Sequence, residues 1–208
     1  MRKIKFFYCF EKEENWLERM AARGWRLKKR GFVYTFEFVP PEKANIKMDF
    51  RIFKRQEDFI EYITLMEDSG WQHLAGTKGS GNQYFMQIAD NGDEDIFSDN
   101  TSRAGRYKRL SEMMLLCFVI CLPFAFTSFI TESIKLEAFI NPKLLYYTPG
   151  LWETSGFEFW RKFLFETPFA LMRGFSWCVT LLLFFSLIFF AIKSWLIYKK
   201  AIMANGNS

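Results

Sequence analysis

Ile96-Phe97-Ser98-Asp99-Asn100 is followed by Arg103-Ala104-Gly105-Arg106-Tyr107-Lys108-Arg109, and then by a run from Met113 to Ile130 with no charge. A polar turn, a basic segment and an oily segment thus succeed one another. We read this order as a junction, with a folded water-soluble domain in front and a membrane helix behind. The oily run has 18 residues, which as a helix spans about 27 Å, close to a hydrocarbon core of about 30 Å. Ser98 or Asp99 supplies a cap for the helix start. Pro123, near the middle, predicts a kink.

Working outward, a second charge-free run of equal length, Phe175–Ile192, ends in Lys193, Trp195, Tyr198, Lys199 and Lys200, residues that suit a membrane interface. Many of the 26 Phe fall in this half of the chain, and Phe-rich apolar helices suit lipid better than a small soluble core. Bases on the outer flanks (Arg103, Arg106, Lys108, Arg109, Lys193, Lys199, Lys200) outnumber those on the inner flanks (Lys135, Arg173). The positive-inside rule then predicts a two-pass protein of the cell membrane with both termini cytoplasmic. No secretory signal is read at the start, because Glu11, Glu13 and Glu14 interrupt the apolar pattern. The loop 131–173 carries five bases and five acids and is expected outside. Its Tyr146, Tyr147, Trp152, Phe157, Phe159 and Trp160 suit the outer membrane surface, and 163–172, broken by Pro168, could dip into it. The expected division is a cytosolic α+β domain at 1–95, a basic juxtamembrane linker at 96–110, transmembrane helices at 111–131 and 174–198 with an extracytoplasmic loop at 132–173, and a tail at 199–208. The competing reading, a buried helical hairpin of a soluble protein, must hide two uncharged 18-residue runs in 208 residues.

The first 95 residues alternate like an α+β domain. Ile4, Phe6, Tyr8 and Phe10 alternate with Lys5, Phe7 and Cys9 as a strand. Glu11–Gly24 reads as a helix with Trp16, Leu17, Met20 and Ala21 in one stripe, ended by Gly24. Strands are predicted at 25–29, at 32–39 with Phe32, Tyr34, Phe36 and Phe38 on one side, and at 46–52. The pattern then recurs. A second amphipathic helix over 59–69 ends at Gly70-Trp71 as the first ends at Gly24-Trp25, and Trp16, Leu17 and Met20 match Tyr62, Ile63 and Met66 at a constant offset. A strand, a Gly-rich turn at 76–81 and a strand at 82–88 follow. Glycine lets the chain leave each helix in a left-handed conformation, and the following Trp pins the helix end to the sheet. The order predicts an antiparallel sheet with two helices on one face, ferredoxin-like and duplicated, followed by a two-helix transmembrane hairpin.

No catalytic constellation is legible. His73 is the only histidine and no Cys-x-x-Cys exists, so an ordinary zinc site or histidine triad cannot form within one chain. Cys117 and Cys121, four apart in the oily run, read as packing residues, and Cys9 and Cys178 are not placed for a surface disulfide. Gly76-Thr77-Lys78-Gly79-Ser80-Gly81 lacks phosphate-loop spacing and precedes a strand, so it reads as a hairpin turn. The acidic stretch Asp90–Asp95 lacks the closing Glu of a calcium loop and reads as a linker. The aromatic stripe Phe32/Tyr34/Phe36/Phe38 beside Lys28-Lys29-Arg30 lacks an RNP signature, so nucleic acid is not expected and core packing is. Asn100-Thr101-Ser102 fits the glycosylation pattern by chance, since it is expected in the cytosol. Asp49, Glu61 and Asp68 are the carboxylates an acid-base enzyme would have to use, yet nothing in their spacing separates them from solvated charges. The strongest local signal is the basic segment. Arg103, Arg106, Lys108 and Arg109 serve as a topology signal or as a contact for anionic lipid or a protein partner.

Trp16-Leu17, Met20-Ala21-Ala22-Arg23-Gly24-Trp25, Tyr34-Thr35-Phe36, Gly70-Trp71, Ile96-Phe97-Ser98-Asp99 and Arg106-Tyr107-Lys108-Arg109 occur in an order that resembles the domain-of-unknown-function family no. 2812, found mainly in Bacillota. The resemblance implies a cytosolic domain followed by membrane helices, with a PadR-like transcriptional regulator as neighbour. It brings no catalytic residue and no cofactor. The resulting expectation is a regulatory or sensory membrane protein, not an enzyme, that binds membrane lipids and a protein partner or small ligand. The alternatives are an accessory subunit of a transporter or envelope-stress complex and a carboxylate-dependent enzyme.

Overall fold

A computed structural model describes residues 1–88, 95–130 and 135–205. They form two compact units, Met1–Leu110 with Leu196–Ser208, and Ser111–Trp195.

In the first unit, β1 (Arg2–Lys3), α1 (Phe10–Ala21), β2 (Trp25–Arg30) and β3 (Tyr34–Phe38) make one group, and β4 (Ile46–Phe50), α2 (Gln56–Asp68), β5 (Trp71–Ala75) and β6 (Asn82–Gln87) make another. The antiparallel sheet is divided in two, with strand orders β1-β3-β2 and β4-β6-β5. In each, the last strand of the group lies in the middle. The registers superpose as well. Arg2 faces Thr35 and Lys3 faces Tyr34, while Met48 faces Tyr84 and Asp49 faces Gln83. Each hairpin carries an irregularity at the same place, between Leu27 and Lys29 and between His73 and Ala75. Moving 46 positions along the chain turns the first of these into the second, as it turns Trp16 into Tyr62. The duplication read from the helices thus extends to the hydrogen-bond ladder. Each helix lies on the sheet of its own group, α1 against β2 and α2 against β5, and α1 also reaches β4.

Both helices stop for the same reason. Gly24 and Gly70 have φ of 80° and 85°, a left-handed conformation that costs an L side chain about 1–2 kcal/mol. Their carbonyls then accept from Val39 N at 3.0 Å and Ile88 N at 2.9 Å, which ties each helix exit to the far strand of its own hairpin. Trp16 packs edge-on against Tyr34 and Phe36, with ring centroids 4.8 and 5.6 Å away. Trp71 forms the second core with Tyr62 and Phe85. Trp25 is half-buried against Phe38.

Several expected boundaries move. The strand read at 4–10 is only Arg2–Lys3, and Phe10 already belongs to α1. The alternation there lacks a polar face. Phe7 is apolar too, and its ring turns inward onto Trp16 at 5.3 Å, with Lys5 Nζ above both rings, so the chain leaves the sheet. Of the aromatic stripe on β3, Tyr34 and Phe36 are core, whereas Phe32 and Phe38 are 90% and 73% exposed. α2 begins at Gln56, three residues before the expected Phe59. The Gly76–Gly81 turn is a hairpin turn, with Gly76 and Gly81 at positive φ and Thr77 N bonded to Ser80 Oγ at 2.9 Å.

The second unit holds most of two long helices, α3 (Asn100–Ile130) and α4 (Gly156–Asn205). Both are long and apolar enough to cross a membrane, and 0% and 11% of their most apolar stretches are buried, so their oily side chains face outward instead of forming a core. They touch at Phe118 and Phe184, rings 4.4 Å apart, and Ser111 Oγ donates to Ala191 O at 2.8 Å. Residues 156–173, expected in the loop, are helical and continue through Pro168 into the apolar run. Proline removes one N–H but leaves the helix on either side intact when flanking turns hold. Here a fold-back holds them. Glu166 accepts from Thr148 Oγ1 at 2.8 Å and pairs with Arg173, which donates to Leu145 O at 2.6 Å. The loop at 135–155 consists of three short 3-10 turns, and Ala138, Leu144 and Leu145 pack around the buried Trp177.

A Cβ at Gly24 would stand 2.8 Å from Val39 O, whereas nothing lies within 4 Å of one at Gly31. Gly24→Ala should therefore lower unfolding stability by at least about 1–2 kcal/mol, and Gly31→Ala should leave it nearly unchanged, read by denaturant titration of tryptophan fluorescence.

Candidate functional site

β4 is an edge strand, and its outward N–H and C=O groups need partners. Side chains supply them. Ile46 N donates to Glu18 Oε1 at 3.2 Å and Met48 N to Glu14 Oε1 at 2.9 Å, both from α1. Met48 O accepts from Arg106 Nη1 at 2.7 Å and Phe50 O from Arg109 Nε at 2.6 Å, both from the first turns of α3. Glu14 and Glu18 lie four apart and Arg106 and Arg109 three apart, so each pair shares a helix face. One helix offers acceptors, the other donors, and the strand lies between.

Arg106 is the centre of this arrangement. It is 1% exposed, pairs with Glu14 at 2.5 Å and Glu11 at 2.7 Å, and lies over the Phe10 ring at 4.9 Å. Tyr107 OH donates to Glu11 Oε2 at 2.5 Å and accepts from Phe10 N at 3.1 Å, which ties α3 to the start of α1. Cys9 Sγ donates to the same Glu11 oxygen at 2.8 Å. Burial works to raise the Glu11 pKa. The hydrogen bonds from Cys9 and Tyr107 and the charge of Arg106 outweigh it and hold the carboxyl at about 2. Burial and the bond to Glu11 push the Tyr107 phenol upward. A second buried carboxylate, Glu13, accepts from Tyr34 at 2.5 Å and from Tyr84 at 2.7 Å, one phenol from each sheet.

The four bases of the expected lipid or partner contact are therefore not one exposed face. Arg106 is internal and cannot reach lipid. Arg109 is held by Phe50 O and Asp49, and Arg103 pairs with Asp95 but stays half-exposed. Lys108 is exposed, its Nζ 5.9 Å from the Tyr198 ring centroid. Asp49 is fully buried, accepting from Tyr62 OH at 2.9 Å as well as from Arg109, while Glu61 and Asp68 lie exposed on α2. These three carboxylates do not converge. His73 is half-buried, bonded to Gln83 at 3.2 Å, and burial lowers its pKa. Among the described residues no three His, Cys, Asp or Glu side chains gather as metal ligands. The acidic spacing Glu11, Glu14, Glu18 on α1 was the sequence signal for the partner of the α3 arginines, and the reading of that helix by its apolar stripe alone passed over it.

Two hollows open beside this clasp of α1, β4 and α3. One, about 170 Å³, is lined by Glu11, Glu14, Asn15, Lys47, Arg103 and Arg106 among others. The other, about 260 Å³, shares Glu11 and Arg103 but is otherwise mostly apolar, with Ala104, Tyr107, Ile197 and Ala201. Together they present fixed charges of both signs next to an apolar wall, which suits binding and orienting a ligand.

The family model described as a protein of unknown function, DUF2812, matches residues 9–119. That is more than half of the chain, and the chain belongs to this family. The match includes the clasp. No curated protein and no solved structure matches the chain.

Arg106→Met should cost about 3–5 kcal/mol of unfolding stability, because it strands Glu14 without its charge partner. The Glu11 contribution has a definite pH window. Its folded pKa is lowered from 4.5 to about 2, so its stabilisation is complete above the unfolded value and disappears as pH falls toward the folded one. The stability difference between wild type and Glu11→Gln should be flat above about pH 5.5 and shrink through the acid range, read by denaturant melts at stepped pH.

Proposed function

We propose that this protein is a membrane-anchored regulator or sensor whose α3 and α4 cross the bilayer, with both termini in the cytoplasm. Its folded unit binds a protein partner or a small charged ligand at the hollows beside Arg103, Glu11 and Arg106, and it does not turn over a substrate. The observation that carries this reading is the seat of α3. The helix starts at a reciprocal cap, Ser102 N donating to Asp99 Oδ1 at 2.6 Å, and its first turns are locked by Arg106, Tyr107 and Arg109. It is the same continuous helix that further on becomes apolar. A ligand that competes for Glu11 or Arg103 changes the partners of α3 itself, so binding has a direct mechanical outlet. The family resemblance implies a PadR-like transcriptional regulator as a neighbour, to which this protein would be functionally linked.

Two measurements test the proposal. Ile60→Cys and Ser155→Cys, both at exposed positions, should react with an impermeant maleimide in opposite ways, position 155 in intact cells and position 60 only after permeabilisation. Reaction of both in intact cells would refute the topology. Purification of the full chain in mild detergent should recover a protein partner or a ligand-dependent rise in melting temperature, and Arg103→Glu should weaken that effect at least several-fold without altering the fold. Absence of any partner and of any shift across a ligand panel would sink the binding role.

A further inference from the structure

Of the bases at the start of α3, Arg106 and Arg109 are spent on internal contacts, and another basic segment is exposed. Lys3, Lys5 and Lys29 are exposed, and Arg2–Lys3 pairs with β3 next to the β2–β3 turn. By that register Ile4 comes opposite Val33, beside the tip residue Phe32. Phe6 precedes Phe7, whose ring lies against Tyr34 at 6.4 Å. Ile4, Phe6 and Phe32 are 70%, 80% and 90% exposed, so large apolar side chains stand in water at the hairpin tip, Ile4 and Phe32, and on the segment that leaves β1, Phe6.

No acid occurs before Glu11 or between Trp25 and Phe36. Arg30 turns inward to the Tyr34 ring at 4.0 Å and to Glu13, and Lys28 pairs with Glu37 at 3.4 Å. Lys29 faces solvent, Lys3 Nζ reaches Met20 Sδ at 3.8 Å and Lys5 Nζ lies over the Phe7 and Trp16 rings, and their own segments hold no carboxylate. The second copy of the fold serves as an internal comparison. Its turn is Gly76–Gly81 with Thr77, Lys78 and Ser80, and its counterpart of Ile4, Phe50, is buried against Gly81. The architecture is thus satisfied without an apolar tip, and the tip of the first copy is an addition.

We propose that this tip, Ile4 and Phe32 with Lys29 on β2 and the basic residues Arg2, Lys3 and Lys5 along the adjoining segment, docks on an anionic lipid surface. Apolar side chains enter the boundary between headgroups and acyl chains while lysines stay at the level of the phosphates, the two-part chemistry that holds amphipathic segments on membranes. Such an element needs little intrinsic affinity when the chain is already tethered to the same bilayer, because the tether raises its local concentration. The inference rests on the membrane-anchored reading above.

The test places a spin label at Gly31→Cys in the full chain, with Cys9→Ser, Cys117→Ala, Cys121→Ala and Cys178→Ala, reconstituted in vesicles of equal parts phosphatidylglycerol and phosphatidylcholine. The expected result is a several-fold preference for collision with oxygen over a water-soluble nickel chelate, lost in phosphatidylcholine alone, lost with Phe32→Ser, and weakened by high salt. A label at Phe185→Cys reports on the apolar helix. With that label in lipid and the Gly31 label in water, the tip contact alone is overturned. With the Phe185 label in water, the anchored reading fails and takes the tip contact with it. Shielding of the Gly31 label from both reagents in either lipid, or broadening between labels, would mean a protein partner or a second copy on the tip and would also overturn the proposal.

Discussion

An unpaired strand edge is the constraint around which the soluble unit is built. β4 ends its sheet, and bare N–H and C=O groups along an edge invite pairing with another chain. Here the edge is covered by ions. Glu14 and Glu18 take its N–H groups, and Arg106 and Arg109 take its C=O groups. Because the acids belong to α1 and the bases to α3, covering the edge also fixes both helices. A buried arginine loses hydration when it enters the interior, and Arg106 recovers interaction through two carboxylates and a carbonyl. That compensation explains why the start of α3 is an integral part of the folded unit and not a linker hanging from it.

Duplication explains how the edge arose. Two copies of β-α-β-β with the same strand order and register each leave their first strand outermost. The copies were then free to diverge where the fold does not constrain them. Trp16 and Tyr62 both remain buried in the core. Glu13 and Phe59 stand at equivalent places and differ completely: the first receives phenols from both sheets, the second packs against Phe53 and His73. The hairpin tips differ in the same way, one apolar and basic, the other polar and glycine-rich. Conserved geometry with divergent chemistry is what a repeat permits when its core is fixed by packing and its rim is not.

The apolar half obeys a different solvent rule. Its helices turn Phe, Leu and Ile outward, and Glu166 and Arg173 of α4 lie where the helix meets the fold-back at 135–155. Glu166 and Arg173 satisfy one another and the backbone of 145–148. Pairing of this kind limits the cost of carrying charge near oily surroundings.

The sequence by itself determined the elements whose signals are local. Periodicity found α1 and α2, glycine followed by tryptophan marked their ends, and the repeated pattern around Gly24-Trp25 and Gly70-Trp71 revealed the duplication. The absence of charge from Met113–Ile130 and Phe175–Ile192 marked the two long apolar helices. What only the tertiary structure decided was where the charges go. The spacing of Arg103, Arg106 and Arg109 does not say whether they meet solvent, lipid or Glu11 and Glu14, because that depends on which strand edge lies between two helices almost a hundred residues apart in sequence. Likewise Phe32 and Phe36 share one alternating stripe. Burial separates them, since β3 is covered by Trp16 at its middle and left bare at its turn. Local pattern fixes the kind of element. Long-range pairing fixes which of its side chains face water, and in this protein that second step assigned Arg106 to the interior and the hairpin tip to the surface.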